Sequence, residues 1–324
     1  MREGGGAETG GSGFVSGFVS ILGLPNAGKS TLLNRLAGTK LAIVSDKPQT
    51  TRTLIQAVAT TPRAQIVFLD TPGIHKPDSL INRRMMEAIG AALGERDLLV
   101  YVVDASRPPG EADREGIELI RKSATPAILA LNKTDQVQPK QRLLEAIERY
   151  KSRHAFADYL PVSALTGEGV EELRSAVIAR LPEGPAYFPA DYLTDQPERF
   201  LAAELIRERL LEETRGEVPH SIAVLVERWE ETAKLTRINA SIYVERDGQK
   251  GIVIGAGGAM LKRIGTRARL GMESMFGRKV FLELHVKVRP RWRENAQFLD
   301  ELDWRTTMAG GSAAEDLERQ PGIE

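Results

Sequence analysis

The sequence predicts an open, mostly parallel α/β sheet with helices on both faces, followed by a smaller α+β unit. Three observations carry this. Short apolar runs alternate with helical stretches from residue 14 to 181. The run Leu181-Pro182-Glu183-Gly184-Pro185 then breaks the pattern. Beyond it the order changes to α-β-β-α-α-β, which suits a separate layer of helices on a small sheet.

Taken in order, the strands of the first unit are expected at 17–22, 54–59, 65–69, 98–104, 126–131 and 159–162. Phe18-Val19-Ser20-Ile21-Leu22, Ile66-Val67-Phe68-Leu69 and Ala127-Ile128-Leu129-Ala130-Leu131 are short enough and apolar enough for strands buried on both faces. Helices are expected near 29–37, 79–93, 111–122, 140–152 and 169–180; the first has leucines at helical spacing and stops at Gly38. Residues 182–197 read as a linker rich in Pro and Asp. The second unit, 198–305, opens with an amphipathic helix at 198–214, then strands at 221–227 and 237–244. Two helical segments follow from Ile252 to Phe276, and a strand at 279–288 closes it. Residues 1–13 and 306–324 are polar, Gly/Ser-bearing tails, and residues 1–13 lack a basic-then-apolar leader pattern.

Composition sets outer bounds. The chain has 324 residues, which predicts two domains better than one. It is 42% hydrophobic without an apolar run near the length of a membrane span, so a soluble protein is expected. It has no cysteine, hence no disulfide or thiolate metal site, in keeping with a reducing cytosol. Lys and Arg (44) balance Asp and Glu (44), and such a zero sum hides any local bias.

The most informative run is Gly23-Leu24-Pro25-Asn26-Ala27-Gly28-Lys29-Ser30, with Thr31 next. It fits G-x-x-x-x-G-K-[ST] and lies between an apolar strand and a helix, the context this phosphate loop requires. Its glycines let backbone N–H groups turn toward phosphate oxygens at the positive end of a helix. Lys29 is expected on the β- and γ-phosphates and the Ser30 hydroxyl on Mg²⁺. About a hundred residues on, Asn132-Lys133-Thr134-Asp135 follows another buried-strand run. An Asp135 carboxylate accepts from guanine N1–H and its exocyclic amine; adenine has no N1–H and lacks an amine at that position, so the pocket selects GTP and GDP. Asn132 either bonds the base edge or ties its loop to the phosphate loop, and the Lys133 stem covers the ring. Ser163 and Ala164, after a further strand, are expected to offer the Ala164 N–H to guanine O6.

The strand ending Asp70-Thr71-Pro72-Gly73 supplies the catalytic side: Asp70 holds Mg²⁺ through its water shell, and the Gly73 N–H meets the γ-phosphate. Between it and the phosphate loop, Asp46 to Arg52 is polar and without periodicity. A switch loop there needs a hydroxyl that ligates Mg²⁺ only with the γ-phosphate present, and of Thr50 and Thr51 the second is favoured. Ile74 stands where many GTPases carry a water-orienting glutamine, so slow intrinsic hydrolysis is expected. Asn26 is the candidate for holding K⁺ beside the phosphates, a charge that would do the work of an arginine finger. His75 reads as an exposed loop residue. Lys29, Thr51, Asn26 and Gly73 are thus the catalytic candidates.

In the second unit, Gly255-Ala256-Gly257-Gly258 is a G-x-x-G between helices, the element that clamps single-stranded nucleic-acid backbone in KH domains. Between Glu245 and Glu294 stand twelve Lys/Arg against five Asp/Glu, and Lys262, Arg263, Arg267 and Arg269 follow the glycines as a phosphate-tracking face.

Taken together, the motifs define a P-loop GTPase unit with a doubly wound sheet and a KH-like unit after it, and this pairing resembles the bacterial Era family from about Gly17 to Trp304. The shared runs are Gly-x-Pro-Asn-x-Gly-Lys-Ser-Thr-Leu-Leu-Asn, Gln-Thr-Thr-Arg, Asp-Thr-Pro-Gly, Asn-Lys-x-Asp, Pro-x-Ser-Ala-x-Thr-Gly, Val-Ile-Gly-x-x-Gly and Leu-Glu-Leu-x-Val-Lys-Val. The resemblance implies GTP-controlled binding of small-subunit ribosomal RNA near its 3′ end, by a cytoplasmic monomer that acts in assembly of the small ribosomal subunit. It also implies peripheral contact with the inner face of the cell membrane for some members. The choice of RNA over DNA rests on this resemblance. One departure is Ala256-Gly257, where the family often carries a Lys; another is the tail after Thr306, which the family does not explain. The rival reading is a GTP-dependent regulator whose positive face meets a protein or anionic lipid.

Overall fold

The computed structural model describes residues 13–306 apart from 48, 95 and 233, so the two terminal tails lie almost wholly outside the described residues. The first unit runs β1 (Val15–Leu22), α1 (Lys29–Ala37), β2 (Ile55–Thr60), β3 (Ala64–Asp70), α2 (Leu80–Leu93), β4 (Leu98–Asp104), α3 (Glu111–Ser123), β5 (Ala127–Asn132), α4 (Arg142–Lys151), β6 (Asp158–Pro161) and α5 (Val170–Ile178). The sheet order is β2-β3-β1-β4-β5-β6, with β2 antiparallel to β3 and every other pair parallel. Both faces are covered. Ile21, Phe68 and Val100 pack under Leu32 and Leu36 of α1 and Leu173 of α5. Leu99, Tyr101 and Leu129 pack under Ile89, Ile117 and Ile120 of α2 and α3. All seven residues of β3 are buried, the reason it reads as an unbroken run. The strand order reverses beside β1, which puts the loop after β1 in the crevice where such sheets take ligands.

The second unit is α6 (Glu198–Glu213), β7 (Ala223–Glu231), β8 (Leu235–Val244), α7 (Asp247–Ile254), α8 (Ala259–Phe276), β9 (Lys279–Val288) and α9 (Ala296–Leu302). Its sheet is β7-β8-β9, antiparallel then parallel, and Leu205, Ile206, Ile242, Ile264 and Met272 fill the space under it. Strand β7 runs on to Glu231, past its expected end at 227, and three helices differ from expectation. Helix α7 starts at Asp247 rather than Ile252, because the Gln249 side chain accepts the Glu245 and Arg246 N–H groups at 3.0 and 3.2 Å and caps it without a Ser or Thr signal. Helix α9 has no counterpart among the expected elements; it is short, and its start is held by Asn295 Oδ1 accepting from Phe298 N at 2.9 Å. Helix α6 is not amphipathic in the simple sense, since nine of its residues are buried, Arg207 and Glu208 among them.

The stretch 182–197 lies along the first unit. Gln65 Oε1 accepts from Tyr187 N and Phe188 N at 2.7 and 2.9 Å, and Leu193 O takes the outward N–H of Val58 on edge strand β2 at 2.8 Å. Between the units, Ile81 and Met85 of α2 meet Ala223, Trp292, Phe298 and Leu299 in a shared apolar cluster. Trp292 is fully buried there and donates its indole N–H to Ser221 O at 2.9 Å. Substituting Trp292→Ala is expected to lower stability by about 3–5 kcal/mol, read as a shift in the urea unfolding midpoint. Trp292→Phe is expected to recover part of it.

Candidate functional site

The loop between β1 and α1 curls because Gly28 sits at φ 92°, a conformation that side chains rarely adopt. A Cβ at Gly28 would also fall 2.2 Å from Asn132 Nδ2. That approach is used: Asn132 donates to Ala27 O at 2.8 Å, and its Oδ1 accepts from Ala164 N at 2.9 Å. Of the two roles open to Asn132, the structure has the tie to the phosphate loop. The Ala164 N–H expected to face guanine O6 is engaged by Asn132 instead, a correction that follows from how closely β5 and β6 end together. Ser163 Oγ donates to Asp135 Oδ1 at 2.6 Å and so orients the carboxylate. Lys133 is in the left-handed conformation at φ 66°, and its ammonium sits 2.7 Å from Asp104 Oδ2 at the end of β4. Burial works against the Asp104 carboxylate, and its hydrogen bonds from Lys133 and Ser106 outweigh this, leaving its pKa below the usual range.

On the phosphate side, Lys29 is buried and donates to Gly23 O and Leu24 O, both at 3.0 Å. Burial lowers its pKa to about 8, and the nearby Asp70 carboxylate opposes this. Ser30 Oγ lies 2.7 Å from Asp70 Oδ2 and 2.7 Å from Thr51 Oγ1. Asp70 is fully buried; desolvation raises its pKa to about 6 against the pull of Lys29, Ser30 and Thr51. Its other oxygen, Oδ1, is buried with no hydrogen-bond partner in the structure. One carboxylate and two hydroxyls converging on a point, with an unpaired buried oxygen, suit a small hard cation. Thr50 is turned elsewhere, its hydroxyl donating to Lys47 O at 2.6 Å, which leaves Thr51 as the hydroxyl at this corner.

Pro25, Asn26, Ser30, Thr31, Thr51 and Gly73 line one concavity. Asn26 is exposed on its rim at φ 62°. Ile74 is buried in the core with Leu22, Ile89 and Leu99, so its side chain is unavailable to any attacking water. His75 is not the exposed residue expected: it is half-buried, its Nε2 is buried without a partner, and burial first, then Lys29, lowers its pKa toward the neutral imidazole.

In the second unit, α7 and α8 meet at Gly255–Gly258. Gly255 has φ 72° and ψ 172°, and a Cβ there would lie 2.6 Å from Met260 Cβ, so only glycine fits. Ala256 and Gly257 form an exposed turn, and Gly258 precedes α8 in the left-handed conformation. Lys262 is exposed beyond it. The arginines are not an open face. Arg263 pairs with Glu213 at 2.7 Å, Arg267 with Glu213 and Glu212 at 2.8 and 2.9 Å, and Arg269 with Glu273 at 3.0 Å. Glu212 and Glu213 at the end of α6 lie outside the basic stretch Glu245–Glu294 and pair with two of its arginines. Asp104, Arg207 and Glu208 belong to no motif in the sequence. Arg207 and Glu208 follow no motif spacing, and only the packing of α6 against the loop at 40–51 brings them to the site.

This architecture and cradle are those of a P-loop GTPase joined to a KH unit. Residues 18–133 match the family described as 50S ribosome-binding GTPase, and residues 217–293 match the KH domain family. The chain is 50% identical to GTPase Era of Geobacter metallireducens over 293 residues, 90% of this chain and 98% of that protein. It is 48% identical to GTPase Era of Synechocystis over 296 residues, 91% of this chain and 94% of that protein. Two solved structures are similar, each at a TM-score of 0.87 and 39% identity: Era with MgGDPNP and nucleotides 1506–1542 of 16S ribosomal RNA, and an Aquifex aeolicus Era variant bound to GDP and AlF₄⁻. Both matches cover 89% of this chain, with 98% and 99% of the respective relatives. The chain belongs to the Era family of GTPases.

Asn132→Ala leaves the Ala27 carbonyl and the Ala164 N–H without partners, at a cost of about 1–3 kcal/mol for each group left buried and unpaired. We expect a lower urea midpoint in the nucleotide-free protein together with weaker GDP binding by calorimetry.

Proposed function

We propose that this GTPase is a switch that binds small-subunit ribosomal RNA near its 3′ end and acts in assembly of the small ribosomal subunit. The single observation that carries the reading is the corner where Ser30, Thr51 and Asp70 meet. It joins the phosphate loop, the switch loop and the end of β3 at one point, which is what a γ-phosphate-sensitive device needs. The RNA half draws on the relative solved with 16S ribosomal RNA and on the G-x-x-G between α7 and α8. On this reading residues 14–181 form the GTPase domain, 182–197 the linker and 198–305 the RNA-binding domain.

The site residues take the following roles. Backbone N–H groups from Gly23 to Thr31 cradle the phosphates, and Lys29 moves from its carbonyl partners onto the β- and γ-oxygens. Ser30, Thr51 and Asp70 hold Mg²⁺, which when bound neutralises charge on the transferring phosphoryl group. Asp135, oriented by Ser163, accepts from guanine, while Lys133 flanks the base and Asn132 and Ala164 brace the pocket. The Gly73 N–H meets the γ-phosphate. Ile74 cannot polarise water, so hydrolysis by the protein alone is slow, and Asn26 supplies a carbonyl for K⁺ beside the phosphates. Gly255, Ala256, Gly257 and Gly258 admit the RNA backbone, with Lys262 as its first cation and Arg263, Arg267 and Arg269 joining when phosphate displaces their carboxylate partners. No described helix is long and apolar enough to cross a membrane. The cytoplasm is the proposed site of action, with any membrane contact peripheral.

Phosphate release from GTP, measured with wild-type and Lys29→Ala protein, with and without small ribosomal subunits, tests the enzyme half. We expect stimulation by subunits and at least tenfold lower release in the variant. Filter binding to the single-stranded 3′ end of 16S RNA should weaken steeply across a salt series; a preference for anionic vesicles over that RNA would favour the membrane-regulator reading. Separately, hydrolysis is expected to run faster in K⁺ than in Na⁺ at matched ionic strength, and equal rates would remove the role given to Asn26.

A further inference from the structure

The loop at 40–51 is held by the second unit. Its start is tied to the first unit, where Asn34 Oδ1 accepts from Leu41 N and Ala42 N at 2.8 and 2.9 Å. Beyond that point α6 takes over. Ile43, 4% exposed, is buried in the core of the second unit with Ala202, Leu205 and Ile206. Glu208, 2% exposed, accepts from Val44 N at 3.0 Å and from the Lys40 ammonium at 2.5 Å. Arg207, also 2% exposed, donates to Gln49 O at 3.3 Å and to Thr50 O, and is itself oriented by a two-pronged contact with Glu204 at 2.7 and 2.6 Å. The two carbonyls that Arg207 holds belong to the residues just before Thr51.

A nearly buried guanidinium is retained only where its donors are used. Here it fixes two consecutive carbonyls in a segment whose described residues form no helix or strand. The residue that follows is the one hydroxyl expected to change partners when the γ-phosphate arrives. A diphosphate gives Thr51 nothing to respond to, whereas a triphosphate needs it at the corner with Ser30 and Asp70. The grip on the loop therefore acts on one nucleotide state and not on the other.

We propose that Arg207 is a positioning residue for the triphosphate state: α6 presents Thr51 to the metal corner, so that preference for GTP over GDP is a property of both units together. This rests on the switch reading above. By linkage, whatever favours docking of α6 on the loop favours the triphosphate, and the triphosphate favours docking by the same factor. Arg207 does not line the concavity, and its effect runs through the backbone of Gln49 and Thr50.

The test uses the full chain. Dissociation constants for MgGDPNP and MgGDP are measured by calorimetry for wild type, Arg207→Gln, Arg207→Lys and Ile43→Ala. We expect Arg207→Gln to weaken MgGDPNP at least tenfold while MgGDP stays within twofold. Arg207→Lys, which keeps a donor for one carbonyl, should recover part of the loss, and Ile43→Ala should shift the ratio in the same direction without removing a charge. A merely structural role would weaken both nucleotides alike, and that result, or an unchanged ratio in both Arg207→Gln and Ile43→Ala, overturns the proposal while leaving the switch reading standing. Failure of the wild type to take up MgGDPNP at all would overturn both.

Discussion

A carboxylate with too few partners sits at the centre of this protein. Asp70 is fully buried, one of its oxygens has no hydrogen bond, and desolvation lifts its pKa to about 6. Its position is dictated by the sheet: β1 and β3 pair in parallel with Ile21 opposite Asp70, so the end of β3 arrives beside the start of the phosphate loop. Everything at the site is arranged around that charge. Lys29 lies close enough to oppose its desolvation, Ser30 and Thr51 share its Oδ2, and the loop carrying Thr51 must fold back to reach it. A small hard cation is the kind of partner that would suit this set of oxygens.

The same requirement explains why one helix matters to both functional regions. Near its middle, α6 grips the loop that carries Thr51 through Arg207 and Glu208. At its C-terminal end, Glu212 and Glu213 hold Arg263 and Arg267 of α8, the helix that begins at the G-x-x-G. These carboxylates compete for the arginines with any anion that approaches them. One helix thus touches both the loop that carries Thr51 and the helix that follows the G-x-x-G.

Much of the fold is legible in the sequence because its strands are short apolar runs and its phosphate loop sits at a strand end. The strands of the first unit fall within about two residues of expectation, as buried parallel strands allow. The start of α7 and the whole of α9 do not, for a shared reason: their caps are Gln249 and Asn295, single polar residues in stretches without a strong helical period. Helix α6 reads as amphipathic because its leucines and isoleucines do recur at helical spacing. Burial of Arg207 and Glu208 on its other side depends on packing partners that its own sequence does not announce.

The choice of GTP, the meeting of Ser30, Thr51 and Asp70 and the G-x-x-G are all legible in the chain alone, since each is a local run whose chemistry depends on residue type and spacing. Tertiary structure decided which of two roles Asn132 plays, that the Ala164 N–H is already taken, that His75 is half-buried, and that three of the four basic residues after the glycines have carboxylate partners. The reason is common to all of them. A motif specifies which groups a segment offers, but whether a group is free or engaged depends on partners distant in the chain, and only packing brings those within hydrogen-bond distance.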